Sequence, residues 1–198
     1  MPRARDTMEE FVLEHLREDA FMADYDFESH ITDIPDYPEK GVVFKDITTL
    51  LKDPEGFTAT IDSIAAHFAD AGVTKVVGAE ARGFLIGAPV AYKLGAGFVP
   101  ARKPGKLPRE VRSESYALEY GTDELQIHTD AIEPDDVVLV VDDLVATGGT
   151  AVAQAKLVGQ FGAKLAGFGF LMELDFLHPR EAIAKESDAE VFSLVHVK

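Results

Sequence analysis

The chain has 198 residues, 46% hydrophobic and 27% charged, which suits one domain able to bury a core without staples. It has no cysteine, so a disulfide scaffold, a Cys-ligated zinc and a thiol nucleophile are excluded. With 35 acidic and 19 basic residues the net charge is −16, which argues against general binding to nucleic acid or to anionic membranes.

Exposed charges farther apart than roughly 8 Å are largely screened at physiological ionic strength, so a local basic cluster can still hold an anion. No stretch approaches the roughly 20 apolar residues of a membrane span. The basic start, Met1-Pro2-Arg3-Ala4-Arg5, meets Glu9 and Glu10 before any apolar run and does not read as a signal peptide. A cytoplasmic location is expected.

Residues 8–22 mix Phe11, Val12, Leu16 and Met22 with many acids and predict a surface helix within an N-terminal extension, 1–28. The remainder, 29–198, reads as one domain. Pro35, Pro38 and Gly41 predict a loop leading into a short extended piece, Val42-Val43-Phe44. Asp53-Pro54 has the form of a helix start, a capping acid before proline at the first helical position. Phe57, Ile61, Ile64, Ala65 and Phe68 follow at helical spacing, and Gly72 ends that segment. Then come a strand (Val73–Val77), a helix (Phe84–Leu94) and a strand (Phe98–Ala101). Residues 102–122 break the rhythm: they are basic, with two prolines and a glycine early on, and predict a long irregular insertion, functional or disordered. Val137–Val141 is a continuous apolar strand, Thr150–Phe161 a helix ending at Gly162, and Leu165–Met172 and Val191–Val195 are strands. Alternating strands and helices imply an α/β fold, a mostly parallel central sheet with helices on both faces. Ligands in such folds lie beyond the carboxyl ends of the strands, so the loops after Val77, Ala101 and Val141 are the ones to examine.

The last of these loops carries the most information. Val138 to Val141 run into Asp142 and Asp143, then into the small residues Ala146-Thr147-Gly148-Gly149-Thr150, where a helix begins. Backbone N–H groups, two hydroxyls and the positive end of a helix dipole make a phosphate cradle. The two aspartates can accept hydrogen bonds from sugar hydroxyls, so the pair of features describes a ribose 5-phosphate site. No lysine follows the glycines as in a Walker loop, and the acids precede the glycines, unlike a dinucleotide fingerprint. Taken alone, Gly-Gly-Thr could equally be a plain strand–turn–helix corner. After Val77, Gly78-Ala79-Glu80-Ala81-Arg82-Gly83 permits close backbone approach, and Arg82 offers a planar fork to phosphate oxygens, or to a structural acid.

The thirteen positions Val138–Thr150 match the signature of the type I phosphoribosyltransferases. The chain resembles the bacterial members of that family that act on adenine, from about Ile31 to about Leu177. The pieces that carry the likeness are Ile34–Pro38 with Gly41–Thr48, Val77–Gly87, Val99–Pro108, Tyr116–Gly121 and Val138–Thr150. The resemblance implies that Ala146, Thr147, Gly148, Gly149 and Thr150 hold the 5-phosphate of phosphoribosyl pyrophosphate, and Asp142 and Asp143 its ribose hydroxyls. It implies that Glu80, Ala81 and Arg82 form a pyrophosphate loop, often with a non-proline cis peptide. Arg102, Lys103 and Lys106 would approach from a mobile lid at about 102–122. Val43 and Phe44, on a small hood, and Leu174 would hold adenine. Glu119, on the lid beside Tyr120, would be the general acid. It further implies Mg²⁺ held mainly by substrate and water, with no protein metal ligands, and a homodimer.

Taken singly, Glu119 is a surface acid, Phe44 is core, and Leu174 is core or base contact; the blocks around them carry their roles. Lys45 stands where the family commonly has arginine, the N-terminal extension is longer than usual, and His178-Pro179-Arg180 matches poorly. The six histidines are scattered without metal-ligand spacing. Three rivals stand beside this reading: a relative acting on an oxopurine, a regulator that senses the donor without chemistry, and an inert binding module, against which the complete lid argues.

Overall fold

The computed structural model describes residues 25–117 and 122–198. The helix expected within 8–22 and the lid residues Glu119 and Tyr120 lie outside the described residues.

Five strands form the central sheet: β3 (Lys75–Ala79), β4 (Gly97–Ala101), β7 (Val137–Val145), β8 (Lys164–Leu174) and β9 (Glu190–Val197), in the order β4-β3-β7-β8-β9. Every pairing in it is parallel. Parallel neighbours need helical crossovers, and the apolar runs of β3 and β7 are explained by burial on both faces. The alternation along β7 shows the division. Val138 and Val140 belong to one core, Leu139 and Val141 to the other, and all four are 0% exposed.

On the first face, α2 (Pro54–His67) and α3 (Arg82–Lys93) place Ile61, Ile64, Ile86 and Val90 against Val76, Leu139, Val141 and Leu171. Helix α2 starts as its sequence predicts. Asp53 Oδ2 accepts from the Gly56 amide at 3.1 Å and from the Tyr25 hydroxyl at 2.7 Å, and Pro54 takes the first helical position. It ends through a short 3₁₀ turn at Gly72, whose φ of +69° needs no Cβ.

The opposite face is covered by α4 (Gly149–Gly159), with Ala153, Leu157 and Val158 inward, and by an antiparallel hairpin of β5 (Val111–Ala117) and β6 (Thr122–His128). The hairpin corrects the expectation of an irregular 102–122 segment. Leu125 and Ile127 of β6 are core residues, and β5 pairs with β6 residue for residue from Val111↔His128 to Ala117↔Thr122. Its period of two escapes a hydrophobicity reading because β5 alternates partly buried Arg112, Glu114 and Tyr116 with exposed Ser113 and Ser115. Residues 102–110 are irregular apart from a bridge in which Arg102 and Gln126 exchange backbone hydrogen bonds at 2.9 and 2.7 Å.

A second hairpin, β1 (Thr32–Pro35) and β2 (Val43–Asp46), forms the small hood. Its turn holds a cis Tyr37–Pro38 bond, and Asp36 Oδ1 accepts from the Gly41 amide at 2.7 Å. A one-turn helix, α1 (Thr48–Leu51), connects the hood to α2. Near the C-terminus a short helix, α5 (Pro179–Ala184), absent from the sequence reading, lies between β8 and β9.

Candidate active site

The carboxyl ends of β3, β4 and β7 bring the predicted loops together. Strand β7 runs on to Val145, four residues past the predicted end, so Asp142 and Asp143 are held by the sheet, Asp142 in register with Phe170. Asp142 Oδ1 accepts from the Asp143 amide at 2.9 Å and lies under the first turn of α3, where a Cβ on Gly83 would come within 2.7 Å of it. Burial first, then the charge of Asp143, pushes the Asp142 carboxyl well above the ordinary range, with Arg82 opposing. Asp143 is 4% exposed. Arg82 Nε lies 3.1 Å from Asp143 Oδ2 but out of line for a hydrogen bond, and this buried oxygen has no hydrogen-bond partner among the described residues. Buried polar atoms without a hydrogen bond are costly and uncommon, so this Asp143 oxygen is suited to an incoming hydroxyl.

Ala146, Thr147 and Gly148 turn the chain into α4, whose first residues are Gly149 and Thr150. The helix has no side-chain cap, so its amino-terminal N–H groups and dipole are offered to a ligand. Gly148 has φ +87°, and the room of a Cβ there is taken by the Pro179 carbonyl oxygen at 2.9 Å and Ala182 Cβ at 3.1 Å. Helix α5 therefore forms the back wall of the cradle.

In the loop after β3 the Glu80–Ala81 peptide is cis, as the resemblance implies. Arg82 opens α3 with its side chain about half exposed between Asp143 and the hood. The Glu80 side chain faces the root of the lid, accepting from the Arg102 guanidinium at 3.0 Å and from the Lys103 amide. Burial pushes its carboxyl up, but these two donors outweigh burial and hold it below the usual range. Lys103 Nζ is engaged by the Asp123 carboxylate and the Tyr116 hydroxyl, and it sits 5.6 Å from the Tyr116 ring centroid. Lys106 is exposed. The lid root is gripped from below as well: the Arg112 guanidinium lies 4.4 Å from the Phe161 ring centroid and donates to the Gln160 carbonyl.

The hood reaches the same centre. Phe44 is met edge-on by Tyr37, ring centroids 5.3 Å apart, and the Arg82 guanidinium lies 5.6 Å from its centroid. Ile34, Tyr37, Phe44, Asp46, Ile47, Thr48 and Arg82 line an open cavity of about 290 Å³. Val43 is 53% exposed beside it. Leu174, half-buried at the end of β8, packs with the α2–α3 core and does not line this cavity. Lys45 pairs with Asp33 at 2.6 Å.

One cluster near the site escaped the sequence reading. Glu173, 2% exposed, accepts a fork from Arg180 (Nε to Oε1, 2.8 Å; Nη2 to Oε2, 2.8 Å) and a hydrogen bond from Ser193 at 2.8 Å. His196 stands 2.9 Å from Asp175 and 3.9 Å from Glu173. Glu173, Asp175 and His196 have metal-ligand spacing, but Arg180 and Ser193 already occupy the buried carboxylate. The mismatch of His178-Pro179-Arg180 to the family pattern concealed these contacts, since a seven-residue ion pair across a turn has no periodic signal.

Residues 46–196 match the family model described as the phosphoribosyl transferase domain, and the chain belongs to that family. It is 60% identical over 150 residues to an adenine phosphoribosyltransferase of Aeromonas salmonicida, covering 76% of this chain and 83% of that one. The crystal structure of the adenine phosphoribosyltransferase of Thermoanaerobacter pseudethanolicus superposes with a TM-score of 0.81 at 48% identity, over 86% of this chain and 98% of that one. That of Saccharomyces cerevisiae, complexed with an imino-altritol bisphosphate and adenine, gives 0.79 at 37% identity, over 91% and 98%. Within the family, the chain belongs with the adenine phosphoribosyltransferases.

Proposed function

We infer that the protein is an enzyme of purine salvage that transfers the 5-phosphoribosyl group of phosphoribosyl pyrophosphate to adenine, giving AMP and pyrophosphate. The observation that carries this reading is the meeting of three parts at one end of the sheet. Asp142 and Asp143 lie beside an uncapped helix terminus, and Arg82 stands between them and the aromatic cavity of the hood.

Asp142 and Asp143 accept the ribose hydroxyls, and residues Ala146–Thr150 hold the 5-phosphate. Arg82, with Arg102, Lys103 and Lys106, faces the pyrophosphate; Lys103 must exchange Asp123 for it. The C1–O bond breaks with its electron pair leaving on pyrophosphate, and N9 of adenine bonds to C1. Cations aimed at the leaving oxygens stabilise the charge that develops there. Glu119 manages the proton at N7: it accepts that proton as N9 bonds, because the base must stay neutral, and it acts as the general acid in the reverse direction. Phe44 and Val43 place the base, and Leu174, which does not line the hood cavity, would cover the other face of a base that projects beyond it. The hard carboxylate oxygens at Asp142 and Asp143 suit a magnesium-loaded donor, and Mg²⁺, held by substrate and water, would add charge compensation at the pyrophosphate. A homodimer and a cytoplasmic location complete the reading. The described residues contain no helix long and apolar enough to cross a membrane.

The test supplies Mg²⁺, phosphoribosyl pyrophosphate and adenine, hypoxanthine, guanine or xanthine in separate reactions. AMP from adenine alone is expected. Turnover of an oxopurine would overturn the assignment of Val43, Phe44 and Leu174, and donor binding without product would leave a sensor. In Glu119→Gln turnover should fall by about 10² or more with donor binding retained; unchanged turnover refutes the role of Glu119.

A further inference from the structure

The back wall of the phosphate cradle is a six-residue helix, α5, too short to be stable by itself. It touches the cradle through the Pro179 carbonyl and Ala182, which occupy the space where Gly148 would carry a Cβ. Three contacts hold it. Ile183, 1% exposed, sits in the core beneath α4. Lys156 of α4 pairs with Glu186 just beyond its end at 3.3 Å. Arg180, in its first turn, forks onto Glu173 of β8.

These contacts differ in kind. Ile183 fixes depth but permits sliding, and an exposed lysine pair fixes little. A bidentate guanidinium–carboxylate pair fixes both distance and orientation, because two parallel hydrogen bonds admit one arrangement. Its carboxylate is itself rigid: Glu173 pairs with both neighbouring strands, in register with Val145 and His196, and Ser193 Oγ takes up its Oε2. Arg180 thereby ties α5 to the sheet strand that lies beside β7, the strand that delivers the cradle.

We propose that Arg180, acting through Glu173, is a positioning residue for the 5-phosphate: it holds α5 against Gly148 and so sets the shape of the Ala146–Thr150 loop. It does not touch the substrate. Its loss lets α5 shift, and the loop N–H groups no longer converge on one point. Misplacement of about 1 Å at a binding group can cost on the order of 10²-fold, so a change at this distance has a measurable effect. Adenine does not meet this loop, so the effect separates the two substrates.

The proposal rests on the phosphoribosyl-transfer reading, and the experiment separates the two. Arg180→Lys keeps the charge and loses the fork; Arg180→Met loses both. For the wild type and each variant, KM is measured for phosphoribosyl pyrophosphate and for adenine, together with kcat, the melting temperature and the Kd of ribose 5-phosphate by calorimetry. The expected result is a donor KM and a ribose 5-phosphate Kd raised about tenfold or more in Arg180→Met and less in Arg180→Lys, with the adenine KM within about twofold. If Arg180→Met does not fold, the same split in Arg180→Lys decides. Donor KM and ribose 5-phosphate Kd within about twofold of wild type in the folded variants would overturn the proposal, as would a fall in kcat alone with both KM values unchanged. If the wild type forms no AMP, the functional reading fails, and ribose 5-phosphate binding still decides the role of Arg180.

Discussion

Asp142 lies beneath the first turn of α3 beside Asp143, which Arg82 faces at 3.1 Å, and their proximity bears on stability. Burial and the Asp143 charge raise the Asp142 pKa, so the folded state favours its protonated form. The sign follows: this residue costs no stability at low pH, and the cost grows as pH rises through the ordinary carboxylate range towards the raised value. Asp142→Asn should therefore gain stability relative to the wild type as pH rises, while its donor KM rises about tenfold. Denaturant midpoints at pH 5 and pH 8 and steady-state kinetics check both halves. Gly148→Ala tests the cradle. A Cβ at φ +87° is strained and meets the Pro179 carbonyl at 2.9 Å, so donor binding should weaken well before adenine binding does. At this scale the sequence was legible where consecutive residues spell strand, turn and helix, as in Val138–Thr150. It was silent on Arg180, whose role depends on a turn that folds it back onto Glu173.

Helix α4 works at both ends. Its amino terminus opens the cradle, and just past its carboxyl end Gln160 and Phe161 hold Arg112 of the lid root. The Gln160 side chain also donates to the Ser113 carbonyl at 3.0 Å. Arg112→Ala removes the cation–π contact and the hydrogen bond, worth about 1 kcal/mol or more together. Amide hydrogen exchange should quicken along Val111–Ala117 while β3 and β7 keep their protection; equal protection in the variant would show that Arg112 does not hold the hairpin. The parallel strands and their helices were readable because burial on both faces leaves a continuous apolar run. The β5–β6 hairpin was not, because one of its strands turns arginine, glutamate and tyrosine inward.

Over the whole molecule, the net charge of −16 makes self-repulsion part of the stability balance. Added salt should raise the melting temperature at pH 8, where the acids are ionised, and raise it less near pH 5. The acid limb has another origin. Glu173 is pushed up by burial but held below the usual carboxylate range by Arg180 and Ser193, which outweigh it. A depressed carboxylate contributes stability above its ordinary pKa and loses it as pH falls through the folded value. Glu173→Gln should consequently flatten the loss of stability below about pH 4.5, and unfolding followed by circular dichroism against pH measures it.

The sequence by itself determined the sheet, its crossovers and the turn from β7 into α4, because each rests on local pattern: apolar runs, a cap, and small residues between two acids and a helix. Only the tertiary structure decided that Asp142 is buried beside Asp143, that the Glu80 carboxylate accepts from Arg102 and Lys103, that Phe44 and Arg82 border one cavity, and that α5 packs against the turn at Gly148. Those properties depend on burial and on distances between elements far apart in the chain, and neither is expressed in the order of residues along one segment.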